Sequence, residues 1–339
     1  MAPLSPELAL VLKGHVANIV ALAVKHAPPA KAVLVTDAQS GLSRLVGDAY
    51  RACLPDAQHL DFDAVTPAEV MAAFATLSPG DLVVLVQSSS FRLDAFRIRV
   101  ELFKRGLKVI EHPHLGRMLP DEYACYVDSL QCDGVSYRQL GTALKALLDV
   151  AQGAVLDSGG AQLVYGSRFE TARLNLDDYT GMKNVGGQFP IGEVFTEPVD
   201  LESVNGRVRI FAFGGSNFLV NVPERPATLV VERGKVVGTQ DATPELERVL
   251  DQIRADEEVW VRELGFGMNR AFTRDRRVSD IGSYERMCGI HMSLGAKHGI
   301  YAKPAIRRND GRHHVDVFAV TEAVWLDGVR VYQDGRWTV

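Results

Sequence analysis

The sequence predicts an α/β N-terminal domain built on a parallel sheet, followed by a β-rich α+β C-terminal domain. The chain has 339 residues, which is longer than a usual single domain. Its first half alternates strand-like and helix-like segments, as expected of a parallel sheet with flanking helices. Its second half instead carries repeated glycine-containing turns between runs of Val, Ile and Phe, which are typical of β-hairpins.

The N-terminal domain is predicted to begin with a helix and to continue as an alternation. An apolar, helical stretch from Leu8 to Val24 precedes the strand-like KAVLVTD. The segment SGLSRLVGDAYRACL is predicted to be a helix with Ser40 near its N-cap, where a hydroxyl can accept a hydrogen bond from the first turn. A strand-like QHLDFD follows. TPAEVMAAFATL is then predicted to be a helix, with Thr66 as its cap and Pro67 at its first position.

Three further segments complete this alternation. DLVVLVQ is a continuous apolar run, as expected of a strand buried on both faces. FRLDAFRIRVELFKRG is predicted to be a helix that ends at Gly106, and LKVIEHP to be the next strand. SYRQLGTALKALLDVAQG is predicted to be the last helix of the domain. We place the boundary between Gly153 and Gly160, which divides the chain into residues 1–155 and 156–339.

The C-terminal domain is predicted from its turns. Five dipeptides favour tight hairpins: Asn205-Gly206, Arg233-Gly234, Asp310-Gly311, Asp327-Gly328 and Asp334-Gly335. One helix interrupts the strands, TPELERVLDQIRADEE, with Thr243 as its cap and Pro244 at its first position.

Charge, apolar stretches and cysteines indicate which binding partners and which cellular compartment to expect. A net charge of −5 does not favour a nucleic-acid binder. The N-terminus lacks a basic region followed by a long apolar run, so no signal peptide is predicted. Apolar stretches are interrupted before about 18 residues, so no membrane span is predicted. The cysteines, which form no C-x-x-C pair, indicate a reducing, cytoplasmic setting without structural disulfides: Cys53, Cys125, Cys132 and Cys288.

Five possible metal ligands lie in short motifs of the second half. Glu193 lies in GGQFPIGEVFTEP, Glu263 in VRELGFGMN and His291 in CGIHMSLG. His314 and Asp316 share the motif RHHVDVFAV. Three carboxylates and two imidazoles match the ligands with which a hydrolase holds two divalent ions. The set therefore predicts a two-metal centre in the C-terminal domain.

Strand geometry distinguishes the two adjacent histidines. Residues i and i+2 of a strand point to the same face. His314 therefore shares a face with Asp316, whereas His313 points to the opposite one. Glu263 is placed where an apolar strand ends, and Gly265 beside it lets the chain turn close to whatever that carboxylate holds.

Together these motifs resemble the aminopeptidase T/aminopeptidase S family of thermophilic-type metallopeptidases, in which they occur in the same order. The likeness covers about the second half, from Gly160 onward, and its most specific part runs from Pro190 to Pro198. The resemblance implies a metalloaminopeptidase that acts on peptides, forms a homodimer and uses two divalent ions of zinc, cobalt or manganese. It implies that five residues bind the ions: Glu193, Glu263, His291, His314 and Asp316.

A site of this kind would hydrolyse an N-terminal peptide bond. Two ions about 3.5–4 Å apart share a water and lower its pKa. One ion polarises the scissile carbonyl, and the other can bind the free α-amino group. Glu263 is the candidate catalytic residue, either accepting the proton of the attacking water or bridging the ions. Both roles stay open.

Two other functions stay open. Ring-cleaving dioxygenases of dihydroxypyridines are related to this peptidase family and use a single iron, for which His291, His314 and Asp316 would suffice. In that branch the two glutamates are replaced, whereas Glu193 and Glu263 are present here, so the peptidase is favoured. The third possibility is a specialised or inactive relative in a biosynthetic pathway, since the first domain is shorter than the family's.

Two groups of arginines adjoin the metal motifs. Four follow Glu263 and three precede His314: Arg270, Arg274, Arg276 and Arg277, then Arg307, Arg308 and Arg312. Arginine can bind a carboxylate through two hydrogen bonds. Arg270 and Arg308 are therefore candidates for substrate binding. A solvated loop or a dimer contact is the alternative. The segment before His291 is shorter than its family equivalent, which leaves a role for Glu285 open.

Overall fold

Two β-sheets, one of 5 strands and one of 14, organise the chain. The computed structural model describes residues 6–93, 96–304, 306 and 311–339. The described residues form two compact units. The first comprises the described parts of residues 1–138, 176–191 and 276–283, and the second comprises Gln139–Asn175, Gly192–Asp275 and Tyr284–Val339. The predicted boundary between residues 155 and 156, as a division into independent domains, stays a prediction.

The helices and strands are numbered in chain order. The α-helices are α1 (Pro6–Asn18), α2 (Gly41–Cys53), α3 (Pro67–Ala75), α4 (Ile98–Lys104), α5 (Tyr123–Ser129), α6 (Ser136–Leu148), α7 (Pro244–Asp256) and α8 (Ile281–Tyr284). A π-helical segment (Ile19–Ala23) continues α1, and 3₁₀ turns lie at Leu115–Arg117, Pro120–Glu122 and Leu201–Ser203.

The strands are, in the first half, β1 (Ala32–Thr36), β2 (Gln58–Asp61), β3 (Leu82–Val86), β4 (Arg92–Leu93), β5 (Phe96–Arg97), β6 (Lys108–His112), β7 (Ala154–Asp157) and β8 (Gln162–Tyr165). They continue with β9 (Arg173–Asn175), β10 (Gly186–Gln188), β11 (Glu193–Thr196), β12 (Val204–Gly214), β13 (Val220–Asn221), β14 (Ala227–Glu232) and β15 (Lys235–Gln240). The last are β16 (Val261–Gly267), β17 (Gly289–Leu294), β18 (Val315–Ala319), β19 (Ala323–Leu326), β20 (Val329–Gln333) and β21 (Arg336–Trp337).

The first unit contains the predicted parallel sheet, in the order β10-β6-β3-β1-β2. Every pair along it is parallel. The apolar run Leu82–Val86 is buried at every residue, as predicted for a central strand. The side chains of Ser40 and Thr66 cap α2 and α3 by accepting backbone hydrogen bonds from residues three positions on. The sequence therefore predicts these elements through apolar runs and capping residues.

The helix predicted over FRLDAFRIRVELFKRG is shorter than expected. Among the described residues of this segment only Ile98–Lys104 is helical, and the preceding Arg92–Leu93 and Phe96–Arg97 pair as two short antiparallel strands. The extended backbone of that pair cannot continue a helix, so α4 begins directly after it. Gly106 follows the helix with a φ of +72°, a left-handed conformation that suits glycine at a helix end.

The helical segment Pro6–Ala23 differs from its sequence prediction. Its mean hydropathy of 1.3 over 18 residues makes it long and apolar enough to cross a membrane, although the sequence analysis expected no such stretch. In this structure 28% of it is buried within the protein. Core helices and signal sequences also combine this length and composition, so the segment is weak evidence of a membrane span. The cytoplasmic location stays a prediction.

The second unit contains the 14-stranded sheet, whose strand pairs are antiparallel. Its main path is β21-β20-β19-β7-β8-β12-β18-β17-β16-β11-β9, with β13, β14 and β15 attached through β12. The fold class predicted for the C-terminal half, strands with one inserted helix, agrees with this sheet and with α7. Four neighbouring strands of the path, β18-β17-β16-β11, carry four of the five predicted metal ligands.

Three predicted hairpin turns are confirmed and one is wrong. The confirmed turns join β14 to β15, β19 to β20 and β20 to β21: Arg233-Gly234, Asp327-Gly328 and Asp334-Gly335. Both residues of each turn have positive φ, as a tight hairpin requires. Asn205-Gly206 lies within β12 instead. A Cβ atom at Gly206 would lie 2.2 Å from the carbonyl oxygen of Gln162, so this glycine permits close strand pairing. Asp310 lies outside the described residues.

None of the four cysteines forms a disulfide in the structure.

Candidate metal centre

Neighbouring antiparallel strands bring the predicted ligands to one face of the second unit's sheet. Glu193 begins β11, Glu263 lies in β16, His291 in β17 and Asp316 in β18, while His314 directly precedes β18. These strands are hydrogen-bonded neighbours in the order β11-β16-β17-β18. Residues paired across antiparallel strands share a face. The fold therefore places residues that are far apart in sequence side by side.

Two glycines of β16 leave room for this convergence. Gly265 is paired with His291 across the strands. A Cβ atom at Gly265 would lie 2.0 Å from Cε1 and 2.2 Å from Nε2 of His291, so the imidazole lies directly over the glycine. A Cβ atom at Gly267 would lie 1.9 Å from the carbonyl oxygen of Met287. The glycines beside the ELG motif are thus required by close packing over the strand.

Glu193, Glu263 and His291 converge on one point. Each offers a ligand atom within 4.8 Å of the other two, and all three are buried. His291 Nε2 lies 3.2 Å from Glu193 Oε1 and 3.6 Å from Glu263 Oε1. Two carboxylates and one imidazole in this arrangement form a donor set suited to a divalent cation.

His314 and Asp316 contact each other beside this group, close enough for the charges of Glu263 and His291 to act on them. His314 Nε2 lies 3.1 Å from Asp316 Oδ1, and His314 Nδ1 lies 3.1 Å from the carbonyl oxygen of Lys297. His313 instead bonds Asp256 through Nε2 at 2.7 Å, so the two adjacent histidines have different partners. The structure therefore gathers three of the five predicted ligands in one group and keeps the other two as a pair.

His298 is a site residue that the sequence analysis missed. Its Nε2 lies 2.6 Å from Glu263 Oε2, and its Nδ1 lies 3.4 Å from Glu197 Oε1. Glu197 is fully buried and pairs with Arg262 at 2.8 Å and with Lys303 at 3.5 Å. No strand pattern marks His298, which lies in a loop after β17. Its spacing of seven residues from His291 was the only available signal.

Arg286 is a second residue that was missed. Its Nη1 lies 3.2 Å from Glu193 Oε2, and it also contacts a carboxylate oxygen of Glu285. The side chain of Arg286 is only 7% exposed. Glu285, whose role the sequence left open, is therefore the second partner of a buried guanidinium beside the centre.

Several buried polar atoms in this region have no hydrogen-bond partner among the described residues. They include both ring nitrogens of His291 and Oδ1 of Asp316, although His291 Nε2 and Asp316 Oδ1 lie within ion-pair distance of Glu193 and His314 respectively. Leaving a buried polar atom unsatisfied costs about 1–3 kcal/mol. A bound cation would satisfy a ring nitrogen and the carboxylate oxygens together, so the residues present fit a divalent metal ion.

Burial and neighbouring charge shift the protonation of the ligands. Burial lowers the pKa of His291, but the carboxylates of Glu193 and Glu263 outweigh it and raise that pKa to about 10. Burial likewise lowers the pKa of His314, but Asp316 outweighs it and raises that pKa to about 10. Burial raises the pKa of Glu263, but contacts with His291 and His298 prevail and lower it. Without a cation, the histidines therefore hold protons at neutral pH.

The arginines near the metal motifs have different surroundings. Arg270 is exposed. Arg276 pairs with Asp128 within the first unit. Arg312 pairs with Asp256 at 3.0 Å, and the guanidinium of Arg274 lies 5.6 Å from the centre of the Phe211 ring. Arg277 is half-buried, and Arg307 and Arg308 lie outside the described residues. Substrate binding by Arg270 and Arg308 stays a prediction.

Among the solved structures that share the fold of this chain are two enzymes. The 2,5-dihydroxypyridine dioxygenase from Pseudomonas putida KT2440 is similar with a TM-score of 0.61 and 16% identity over 99% of each chain. AmpT, aminopeptidase T, from Thermus thermophilus is similar with a TM-score of 0.61 and 14% identity, covering 97% of this chain and 99% of that one. By sequence, neither a family model nor a curated protein matches. The comparisons establish a distant fold relation to enzymes of two classes.

Gly265→Ala is expected to weaken metal binding. The added methyl group would overlap the His291 ring, which must then leave its place between Glu193 and Glu263. We expect the affinity for Zn²⁺ or Mn²⁺ to fall by about 10–100-fold, the range found when ligand orientation is disturbed. Titration calorimetry measures this. Gly238→Ala is the matched control, because open space surrounds that strand glycine. Equal affinities in the two variants would contradict the placement of His291.

Metal affinity is expected to rise with pH. His291 and His314 carry raised pKa values of about 10 without metal, and a cation binds only neutral imidazole. Each displaced proton adds about one tenfold gain in affinity per pH unit below that pKa. Competition with a chelator from pH 6.5 to pH 8.5 would reveal the slope. An affinity independent of pH would show that no histidine proton is displaced.

Proposed function

We propose that this chain is a metal-dependent, aminopeptidase-like hydrolase that removes N-terminal residues from peptides. The observation that carries the proposal is the buried convergence of Glu193, Glu263 and His291 within 4.8 Å. Mixed carboxylate and imidazole ligands suit zinc, cobalt or manganese. The fold relation to AmpT supports the same chemistry. The closeness of the three side chains supports one ion among them, with His314 and Asp316 as the further predicted ligands.

The surrounding residues would prepare this centre for hydrolysis. A bound divalent ion would supply Lewis acidity and water of lowered pKa. Glu263 is kept ionised by His291 and His298, so it can bind the ion or accept a proton from water. His298 holds one carboxylate oxygen of Glu263 through Nε2 at 2.6 Å. That contact leaves the other oxygen, Oε1, on the side of His291.

A ring-cleaving, iron-dependent dioxygenase is the second candidate. The fold relation to the dihydroxypyridine dioxygenase, at the same TM-score as AmpT, favours it. An iron held by two histidines and one carboxylate would use His291, His314 and Asp316. In the structure His291 lies within 3.6 Å of two glutamates, and His314 contacts Asp316. This grouping makes the hydrolase our first choice.

Removing a ligand is expected to abolish metal-dependent hydrolysis. Glu193→Gln, Glu263→Gln and His314→Ala should each lower kcat/KM by about 100-fold or more, because the ion is lost or misplaced. The assay is turnover of a panel of N-terminal aminoacyl substrates with added zinc, cobalt or manganese. His313→Ala is the matched control, since this neighbour of His314 bonds Asp256 instead of a predicted ligand.

The same assay discriminates between the candidates. Activity near the wild-type level in all three ligand variants, at limiting metal, would remove the hydrolase assignment. Oxygen consumption with a dihydroxypyridine and ferrous iron, without aminoacyl turnover, would instead establish the dioxygenase.

Arg270 offers a test of substrate choice. An exposed arginine after the Glu263 strand could bind the C-terminal carboxylate of a short peptide. We then expect a free-acid dipeptide to have a higher kcat/KM than its C-terminal amide, and Arg270→Ala or Arg308→Ala to reduce that preference. The measurement is kcat/KM for both substrates in the three proteins. An equal preference in all three would exclude both arginines from substrate recognition.

A further inference from the structure

We infer that this centre binds a single divalent ion and that the buried guanidinium of Arg286 takes the place of a second one. The inference rests on the proposed metal-dependent function. It departs from the two ions that the family resemblance implies. Three observations support it: the contacts of Glu193, the fixed position of Arg286, and the permanent charge of the Arg286 guanidinium.

The two oxygens of Glu193 already face different nitrogens. Oε1 lies 3.2 Å from His291 Nε2, and Oε2 lies 3.2 Å from Arg286 Nη1. A carboxylate that bridges two ions must offer one oxygen to each. Here the first oxygen is on the side of the ligand group, and the second is neutralised by the guanidinium. Glu193 is therefore arranged to bind one ion, because Arg286 occupies the oxygen that a second ion bridged by Glu193 would need.

Arg286 is held in this position by its backbone. The Asn269 amide donates a hydrogen bond of 2.9 Å to the Arg286 carbonyl oxygen. The backbone of Arg286 and Met287 also passes directly over Gly267, where a Cβ atom would lie 1.9 Å from the Met287 carbonyl oxygen. The end of β16 therefore fixes the segment that carries the guanidinium. This arginine is a built part of the centre rather than a mobile surface side chain.

The charge of Arg286 is permanent and buried. A guanidinium stays protonated in proteins, and this one is only 7% exposed. A second divalent ion against Glu193 Oε2 would face this positive charge in a medium of low dielectric constant, where repulsion between like charges is strong. Occupation by a second ion is therefore disfavoured.

The guanidinium also keeps one donor unused. Arg286 Nε is buried and has no hydrogen-bond partner in the part of the chain that the structure describes. An N–H group beside the ion can donate to an oxygen of the substrate on which negative charge develops. Arg286 would thus supply the charge stabilisation that a second ion provides in a two-metal hydrolase.

Metal stoichiometry tests the inference without recourse to activity. Full-length protein freed of metal is titrated with Zn²⁺ and with Mn²⁺ by calorimetry, and bound metal is counted by mass spectrometry after desalting. We expect one ion per chain in wild type and in Arg286→Lys, which keeps the charge. Arg286→Gln should bind two. Arg233→Gln, which removes an exposed guanidinium paired with Glu202, should still bind one.

Loss of Arg286 removes one charge partner from Glu193 and one from Glu285, so Arg286→Gln is tested beside a variant that leaves fewer carboxylates without that partner. The double variant Glu285→Gln/Arg286→Gln deletes one carboxylate with the guanidinium, and it should also bind a second ion. Two tightly bound ions in wild type would overturn the inference while leaving the hydrolase proposal intact. An unchanged single ion in folded variants lacking the guanidinium would also overturn it. No bound ion in any protein would overturn the proposed function itself.

Discussion

Burial of ionised side chains on one sheet face is the constraint on which the centre depends. Glu193, Glu263 and His291 are removed from water on neighbouring strands, and a buried charge is costly unless it is paired and hydrogen-bonded. The chain supplies part of the compensation itself. His298 contacts one oxygen of Glu263, and Arg286 contacts one oxygen of Glu193. The His291 nitrogens stay without hydrogen-bond partners among the described residues, and a divalent cation is the group that would complete the compensation.

The second sheet meets this constraint through backbone geometry. Antiparallel pairing places residues of separate strands on one face, and the glycines of β16 let neighbouring groups lie over the strand. Gly265 makes room for the His291 ring, and Gly267 makes room for the segment that carries Arg286. One short glycine-rich strand therefore positions both an imidazole ligand and the guanidinium. In the sequence ELGFG, Glu263 supplies a carboxylate, and the two glycines leave the room that the His291 ring and the Arg286 segment occupy.

Much of the fold could be predicted from sequence because its signals are local. The apolar run Leu82–Val86 marks β3, and the capping residue Thr66 marks the start of α3. Both signals lie within the element or directly beside it. The i, i+2 spacing likewise separates His314 from His313. The missed residues, His298 and Arg286, lie in irregular segments after and before β17. Their side chains reach the centre because strands that are far apart in the sequence pair there. No local sequence pattern encodes such pairing.

The shared fold does not decide the chemistry, since one distant relation is to an aminopeptidase and the other to a dioxygenase. Our proposal of a hydrolase therefore rests on the arrangement of the ligands. The most direct test is an anomalous diffraction map from crystals grown with Mn²⁺ or Co²⁺. Our account predicts a strong peak within bonding distance of Glu193, Glu263 and His291. A map in which the metal binds elsewhere and these three side chains contact no ion would contradict it.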